Sequence, residues 1–196
     1  MLKICERILK LSNDKASLRD SVNFAYCKPE IQTACNLVYK NYTQLGLYDT
    51  NCSEIRIQNY QLLSTTDIHC LWHPNYFNVL LATVSLIKDN NCPLPIESLY
   101  PEEINNIRKQ YGDIAELTCF AINDNRYNIS VECILSSLFF RVFEMLEDSN
   151  IKYVVACCNR KHAVFYKKYI GAVQLGSLKN YSLVNNKEAI PVGFEI

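Results

Sequence analysis

The chain has 196 residues, 49% of them apolar, with twenty Lys and Arg balancing twenty Asp and Glu. That length supports one domain with a full core, and zero net charge argues against bulk electrostatic capture of nucleic acid. No apolar run approaches the ~18 residues of a membrane-spanning helix, and the charged start from Met1 to Arg7 does not resemble a secretory leader. The expectation is a cytoplasmic protein forming a single domain over 1–196, with residues 1–20 as an N-terminal helical extension. Ten cysteines are scattered along the chain. None forms Cys-x-x-Cys or a His/Cys group at zinc-ligand spacing, so no metal site is expected and they read as small apolar residues.

Taken in order, Met1–Leu11 reads as a short helix and Ser21–Tyr26 as a first strand. From Glu30 the apolar residues Ile31, Ala34, Cys35, Val38, Tyr42 and Leu45 fall on one helical face, closed by Gly46. Ser53–Leu63 alternates as a strand should, with Ile55 and Ile57 inward. Thr66–Trp72 and Phe77–Lys88 read as two further strands, the second rich in Val, Leu, Thr and Ile. Pro101 suits the first position of a helix that runs to Gly112. Asp113–Ile122 is then an apolar strand carrying Glu116 at its middle. A carboxylate there is costly unless it is paired, hydrogen-bonded or functional.

After the polar loop Asn123–Asn128, Ser130 can cap a helix whose stripe Val131, Ile134, Leu135, Leu138, Val142, Phe143 and Leu146 marks it as core. Tyr153–Cys158 is a short apolar strand. Asn159 can cap a helix through Tyr169, stopped by Gly171, and Ala172–Val184 and Pro191–Glu195 finish as strands. Alternating strands and helices imply an α/β fold with a sheet covered on both faces.

The acidic-centred strand, loop, long helix and strand, followed by Asn159-Arg160-Lys161-His162-Ala163-Val164-Phe165-Tyr166 and Gly171, resemble the GNAT acyltransferases. Further stretches are similar to long-chain N-acyl amino acid synthases. They include Leu37–Tyr42 with Gly46–Tyr48, Ala82–Ile87 with Asp89, and Leu94-Pro95 through Leu99–Glu103. Ala115–Thr118 and Tyr181–Asn185 extend the match, which runs from about Phe24 to the end. The resemblance implies a GNAT-like fold with a central mixed, mostly antiparallel sheet flanked by helices on both faces, related to the acyl-homoserine lactone autoinducer synthases. It also implies an enzyme that moves a long fatty acyl chain from an acyl carrier protein, or acyl-CoA, onto the α-amine of an amino acid. The donor would be a cosubstrate, with no cofactor bound permanently.

Such a reaction needs a neutral amine, a polarised thioester carbonyl and a proton for the leaving thiolate. The resemblance gives Glu116 the amine's proton, with pairing to a nearby Arg or Lys as the structural alternative. It gives Tyr166 the thiolate, with aromatic packing as the alternative, while His162 could shuttle protons or only pack. Arg126, Asn128, Ser130 and Asn159 are the positions expected to meet the donor. The loop through Arg126, Asn128 and Ser130 has no glycine, where GNAT enzymes wrap a pyrophosphate closely with backbone N–H groups. That departure favours a carrier-bound donor, and Arg160, Lys161, Lys167 and Lys168 offer a basic surface for an acidic carrier. Two alternatives stay open: a GNAT enzyme using short-chain acyl-CoA on another amine, and a degenerate member that binds without catalysis.

Overall fold

A computed structural model describes residues 18–89, 91–147 and 149–196. The helix expected over Met1–Leu11 lies outside the described residues. A 3-10 turn, Arg19–Ser21, leads into β1 (Val22–Phe24) and then α1 (Lys28–Gln44). Glu30 closes the start of α1 by accepting the backbone N–H groups of Tyr26 and Cys27 at 2.8 and 3.2 Å, a capping-box geometry. Next come β2 (Thr66–Trp72), β3 (Leu80–Lys88), α2 (Pro101–Tyr111) and β4 (Ile114–Ile122). Helix α3 (Val131–Glu147), β5 (Tyr153–Cys158) and α4 (Arg160–Phe165) follow, and α4 continues as a π turn, Tyr166–Ile170. The chain closes with β6 (Val173–Gln174), β7 (Lys179–Tyr181) and β8 (Lys187–Glu195).

The strands form one sheet in the order β1-β2-β3-β4-β5-β8-β6, with β7 also paired to β8. The β4–β5 pair is parallel, whereas the other neighbouring pairs are antiparallel. Helix α3 covers one face. Its Ile134, Leu138, Phe139, Val142 and Phe143 pack with Leu71, Leu81, Val84, Leu117 and Val154 from the sheet. Helices α1 and α2 cover the other face. Ala34, Leu37 and Val38 of α1 meet Ile68, Cys70, Cys119 and Ala121, while Ile104 and Ile107 of α2 meet Ile87, Ile114 and Val155. This is the mixed, mostly antiparallel α/β sheet the sequence implies, with both faces buried. No helix among the described residues is long and apolar enough to cross a membrane.

Three stretches differ from expectation. Ser53–Leu63 is not a strand but irregular chain ending in a 3-10 turn, Asn59–Leu62. Its alternation is also inverted, for Ile57 is 43% exposed while Arg56 is 2% exposed. The strand expected from Phe77 begins only at Leu80, because Asn78 adopts a positive φ and Phe77 stands in solvent. Ala172–Val184 divides into β6, β7 and a 3-10 turn, Ser182–Val184, instead of one strand.

Candidate active site

β4 and β5 pair only from Ile114 to Leu117, against Tyr153 to Ala156. Beyond that point β5 continues along β8 through Cys157 and Cys158, while β4 stays with β3. The two strands therefore diverge, and a cleft of about 180 Å³ opens between them. A bulge in β4 helps to shape it. Cys119 has a φ of 51°, and the β3–β4 register gains a residue on β4 between Thr118 and Ala121.

One inserted residue exchanges the faces to which later side chains point. Before the bulge, Ala115 and Leu117 face α3; after it, Phe120 and Ile122 do, while Cys119 and Ala121 face α1. Amides alternate in the same way along a strand. Asn123 donates to Leu81 on the β3 side, so the Ile122 amide faces the split, where Asn41 Oδ1 of α1 takes it at 3.2 Å. Cys119 and Phe120 together oppose Val84, so the ladder to β3 is interrupted there, and Phe120 lines the cleft.

Glu116 lies just short of the divergence and is 1% exposed. Its Oε2 accepts the Ile96 N–H at 2.9 Å, and no ion pair involves it among the described residues. Burial raises its pKa to about 8 against the partial relief of that hydrogen bond, and the nearby Glu97 adds to the rise. Among the described residues the alternative of an Arg or Lys partner is thus not met. The nearby guanidinium of Arg108 is committed elsewhere, binding Asp89 through two bonds of 2.7 Å and Glu97 at 2.8 and 2.5 Å. Asp89, one of the residues carrying the resemblance, is therefore a structural anchor. The Arg108 clamp fixes the turn Pro95–Ser98, and that turn carries the amide bound to Glu116.

Tyr166 enters the cleft from the side of α3 and α4. It is 4% exposed, and its ring packs edge-on against Phe139 at 6.0 Å between centroids. Burial pushes its phenol upward, so the hydroxyl stays protonated well past neutral pH. It begins the π turn, a helix irregularity that recurs at functional sites. His162 and Asn159 also line the cleft. Asn159 Oδ1 accepts the His162 N–H at 2.9 Å as the cap of α4. His162 sets its ring edge-on to Phe120 at 5.9 Å, and burial lowers its pKa.

The remaining expected donor positions are not brought into the cleft. Ser130 caps α3, accepting the Cys133 N–H at 3.1 Å. Arg126 and Asn128 sit in a tight turn closed by Ile129 N–H to Arg126 carbonyl at 2.9 Å. Its central residues Tyr127 and Asn128 have φ of 49° and 66°, values natural to glycine and uncommon for tyrosine. The turn thus takes a left-handed shape while keeping two side chains that glycines would lack. Tyr127 packs tilted against Tyr76 and edge-on against His73, with centroids 4.8 and 5.3 Å apart.

Sequence reasoning missed Arg56, Asn41 and the polar group around Cys119. Arg56 Nη1 donates to Cys119 Sγ at 3.2 Å and Nη2 to the Leu183 carbonyl at 3.1 Å. Its guanidinium lies 4.8 Å from the Tyr42 ring centroid. The Tyr60 hydroxyl is 3.6 Å from Cys119 Sγ. Arg56 Nε and the Tyr181 hydroxyl are buried without hydrogen-bond partners. The available signal was an Arg between two isoleucines in a segment with few other charges.

A family model described as the N-acyl amino acid synthase FeeM matches residues 33–195. The solved structure of FeeM, an N-acyl amino acid synthase from uncultured soil microbes, is similar at a TM-score of 0.75 with 26% identity, over 89% of each chain. The AHL synthase LasI is similar at a TM-score of 0.64 with 16% identity, over 89% of this chain and 88% of that one. A candidate phosphinothricin N-acetyltransferase gives 0.59 and 14%, over 90% and 99%. At those identities the last two speak for the fold alone. No curated protein sequence matches the chain. With the family model covering most of its length and the split sheet beneath it, the chain is an acyltransferase of the FeeM N-acyl amino acid synthase family, on a GNAT-like fold.

Proposed function

We propose that this protein transfers a long fatty acyl chain from an acyl carrier protein thioester to the α-amine of an amino acid. The observation that carries the reading is Glu116, a buried carboxylate without a counter-ion among the described residues, where the strands diverge. Across the sheet, Tyr166 lines the α3 side of the cleft that opens at Leu117, one residue beyond Glu116 and without Glu116 in its wall. The two groups suit opposite ends of one reaction, with the amine arriving from one face and the thioester from the other.

In this reading Glu116, as carboxylate, takes a proton from the acceptor's ammonium directly or through a water. The neutral amine attacks the thioester carbon while the Phe120 N–H stabilises the oxyanion. The C–N bond forms and the C–S bond breaks. Tyr166 gives its proton to the departing thiolate and recovers one from the cationic nitrogen formed by amine attack, and Glu116 releases its proton to solvent to restore the carboxylate. No covalent enzyme intermediate is needed. An approaching ammonium favours the ionised form of Glu116, so the elevated pKa of the empty site does not oppose the step.

The carrier-bound donor is supported by the turn at Tyr127 and Asn128. Two Cβ atoms stand where a pyrophosphate would have to approach the backbone closely, whereas phosphopantetheine on a carrier has no nucleotide to place. Arg126, Lys161, Lys167 and Lys168 complete the basic surroundings in this reading, and apolar cleft walls such as Leu117, Phe120 and Ala156 suit the chain. Cells expressing the protein should yield fatty acyl amides of amino acids in organic extracts examined by mass spectrometry. Extracts containing only free fatty acids, despite folded protein, would remove the reading.

A further inference from the structure

On the α1/α2 face a separate open groove of about 720 Å³ is lined by Gln58, Tyr60, Leu94, Pro95, Ser98 and Leu183, among others. Two of these residues connect it to Arg56. Leu183 presents its carbonyl to Nη2 at 3.1 Å. The Tyr60 hydroxyl shares Cys119 Sγ with Nη1. Behind this wall Arg56 is 2% exposed. Among the described residues it forms no ion pair, and its Nε has no hydrogen-bond partner.

A buried cation held by a thiol sulfur, one carbonyl, tyrosine ring faces and the Tyr60 hydroxyl, with no carboxylate among the described residues, is poorly compensated. Sulfur is a weak acceptor, and the guanidinium fork is shaped for the two oxygens of a carboxylate. Glu116 lies on the same face of β4, three residues before Cys119, and both its charge and that of Arg56 act on Tyr60. Three residues span about 10 Å at full extension, less across a bulge. Hydrogen bonds of about 2.8 Å at each end leave room for the short backbone of an α-amino acid between them.

We infer that Arg56 binds the α-carboxylate of the acceptor, which enters through the groove beside Tyr60 and Leu183 and places its amine at Glu116. The site would then select α-amino acids from amines in general. This rests on the reading of the protein as an N-acyl amino acid synthase, and it assigns that reaction a carboxylate-binding residue.

The test measures kcat/KM for an α-amino acid, its primary amide and its decarboxylated amine, in wild type, Arg56→Gln and Arg56→Lys. A site that hydrogen-bonds a carboxylate should favour the amino acid by about 100-fold or more. In Arg56→Gln that preference should collapse toward unity through the acceptor KM, with the donor KM unchanged. Arg56→Lys, a point charge without the fork, should retain an intermediate preference. A folded Arg56→Gln with the wild-type preference overturns the inference, as does wild type that accepts the amine as readily as the amino acid. If Arg56→Gln fails to fold, the wild-type ratio and Arg56→Lys still decide. A wild type that acylates only compounds without an α-amino acid skeleton sinks the underlying reading as well, so the two failures are distinguishable.

Discussion

Replacing Glu116 by Gln keeps the side chain's shape and an oxygen for the Ile96 N–H bond of 2.9 Å, but removes the ionisable group. The consequence for stability has a definite sign. Glu116 ionises at about 8 in the fold against 4.5 for an ordinary Glu, so the native state holds a proton that the unfolded chain releases. Wild type is therefore most stable below 4.5 from this source, and loses that contribution as pH rises to about 8. At about 1.4 kcal/mol per pH unit the loss is on the order of 4–5 kcal/mol. Glu116→Gln lacks this dependence. It should match wild type in urea unfolding at pH 5 and exceed it by a few kcal/mol at pH 8. Catalysis should move the other way, with turnover lowered by roughly 10²–10⁴-fold and the alkaline-rising limb of kcat/KM near pH 8 abolished. A folded Glu116→Gln with wild-type turnover, or an identical stability difference at the two pH values, refutes the reasoning.

Tyr166→Phe keeps the packed ring and should cost less than about 1.5 kcal/mol of stability, while slowing acyl transfer by at least tenfold. Most of that loss should return with a thioester whose thiol is more acidic and needs no proton on leaving; uniform slowing across leaving groups contradicts the assignment. Arg108→Met leaves Asp89 and Glu97 without their shared cation and should cost about 2–4 kcal/mol in urea unfolding at pH 7. Because Arg108 holds the Glu97 carboxyl below its ordinary value, the deficit against wild type should narrow as pH falls through the Glu97 pKa; a deficit independent of pH argues against the clamp. Tyr127→Gly with Asn128→Gly removes both Cβ atoms from the left-handed turn, so use of acyl-CoA relative to the acyl carrier thioester should rise in steady-state assays. An unchanged ratio means that this turn does not choose the donor.

The sheet's centre was legible because local pattern and tertiary role agree there. Tyr153–Cys158 is apolar throughout, buried on both faces, and starts and stops where its pattern does. Val131–Glu147 carries its core stripe at helical spacing and its cap at Ser130. Glu116 announced itself by being a carboxylate among buried neighbours. The bulge did not, since Cys119 holds a positive φ without the glycine or asparagine that normally marks one. Arg56 was hidden for a related reason. Alternation in Ser53–Leu63 counts apolar residues inward, and tertiary contacts with Cys119 and Leu183 reversed it. The cleft itself is a property of two strands parting after four paired residues, which no single segment encodes.

The most direct measurement is a reconstituted reaction. Purified protein is supplied with a long-chain acyl carrier protein thioester and an equimolar mixture of the twenty amino acids, and the products are followed by mass spectrometry. The account predicts N-acyl amino acids, formed with one free carrier thiol per amide and lost in Glu116→Gln. Release of free fatty acid alone, or transfer only to amines outside the amino-acid pool, contradicts it.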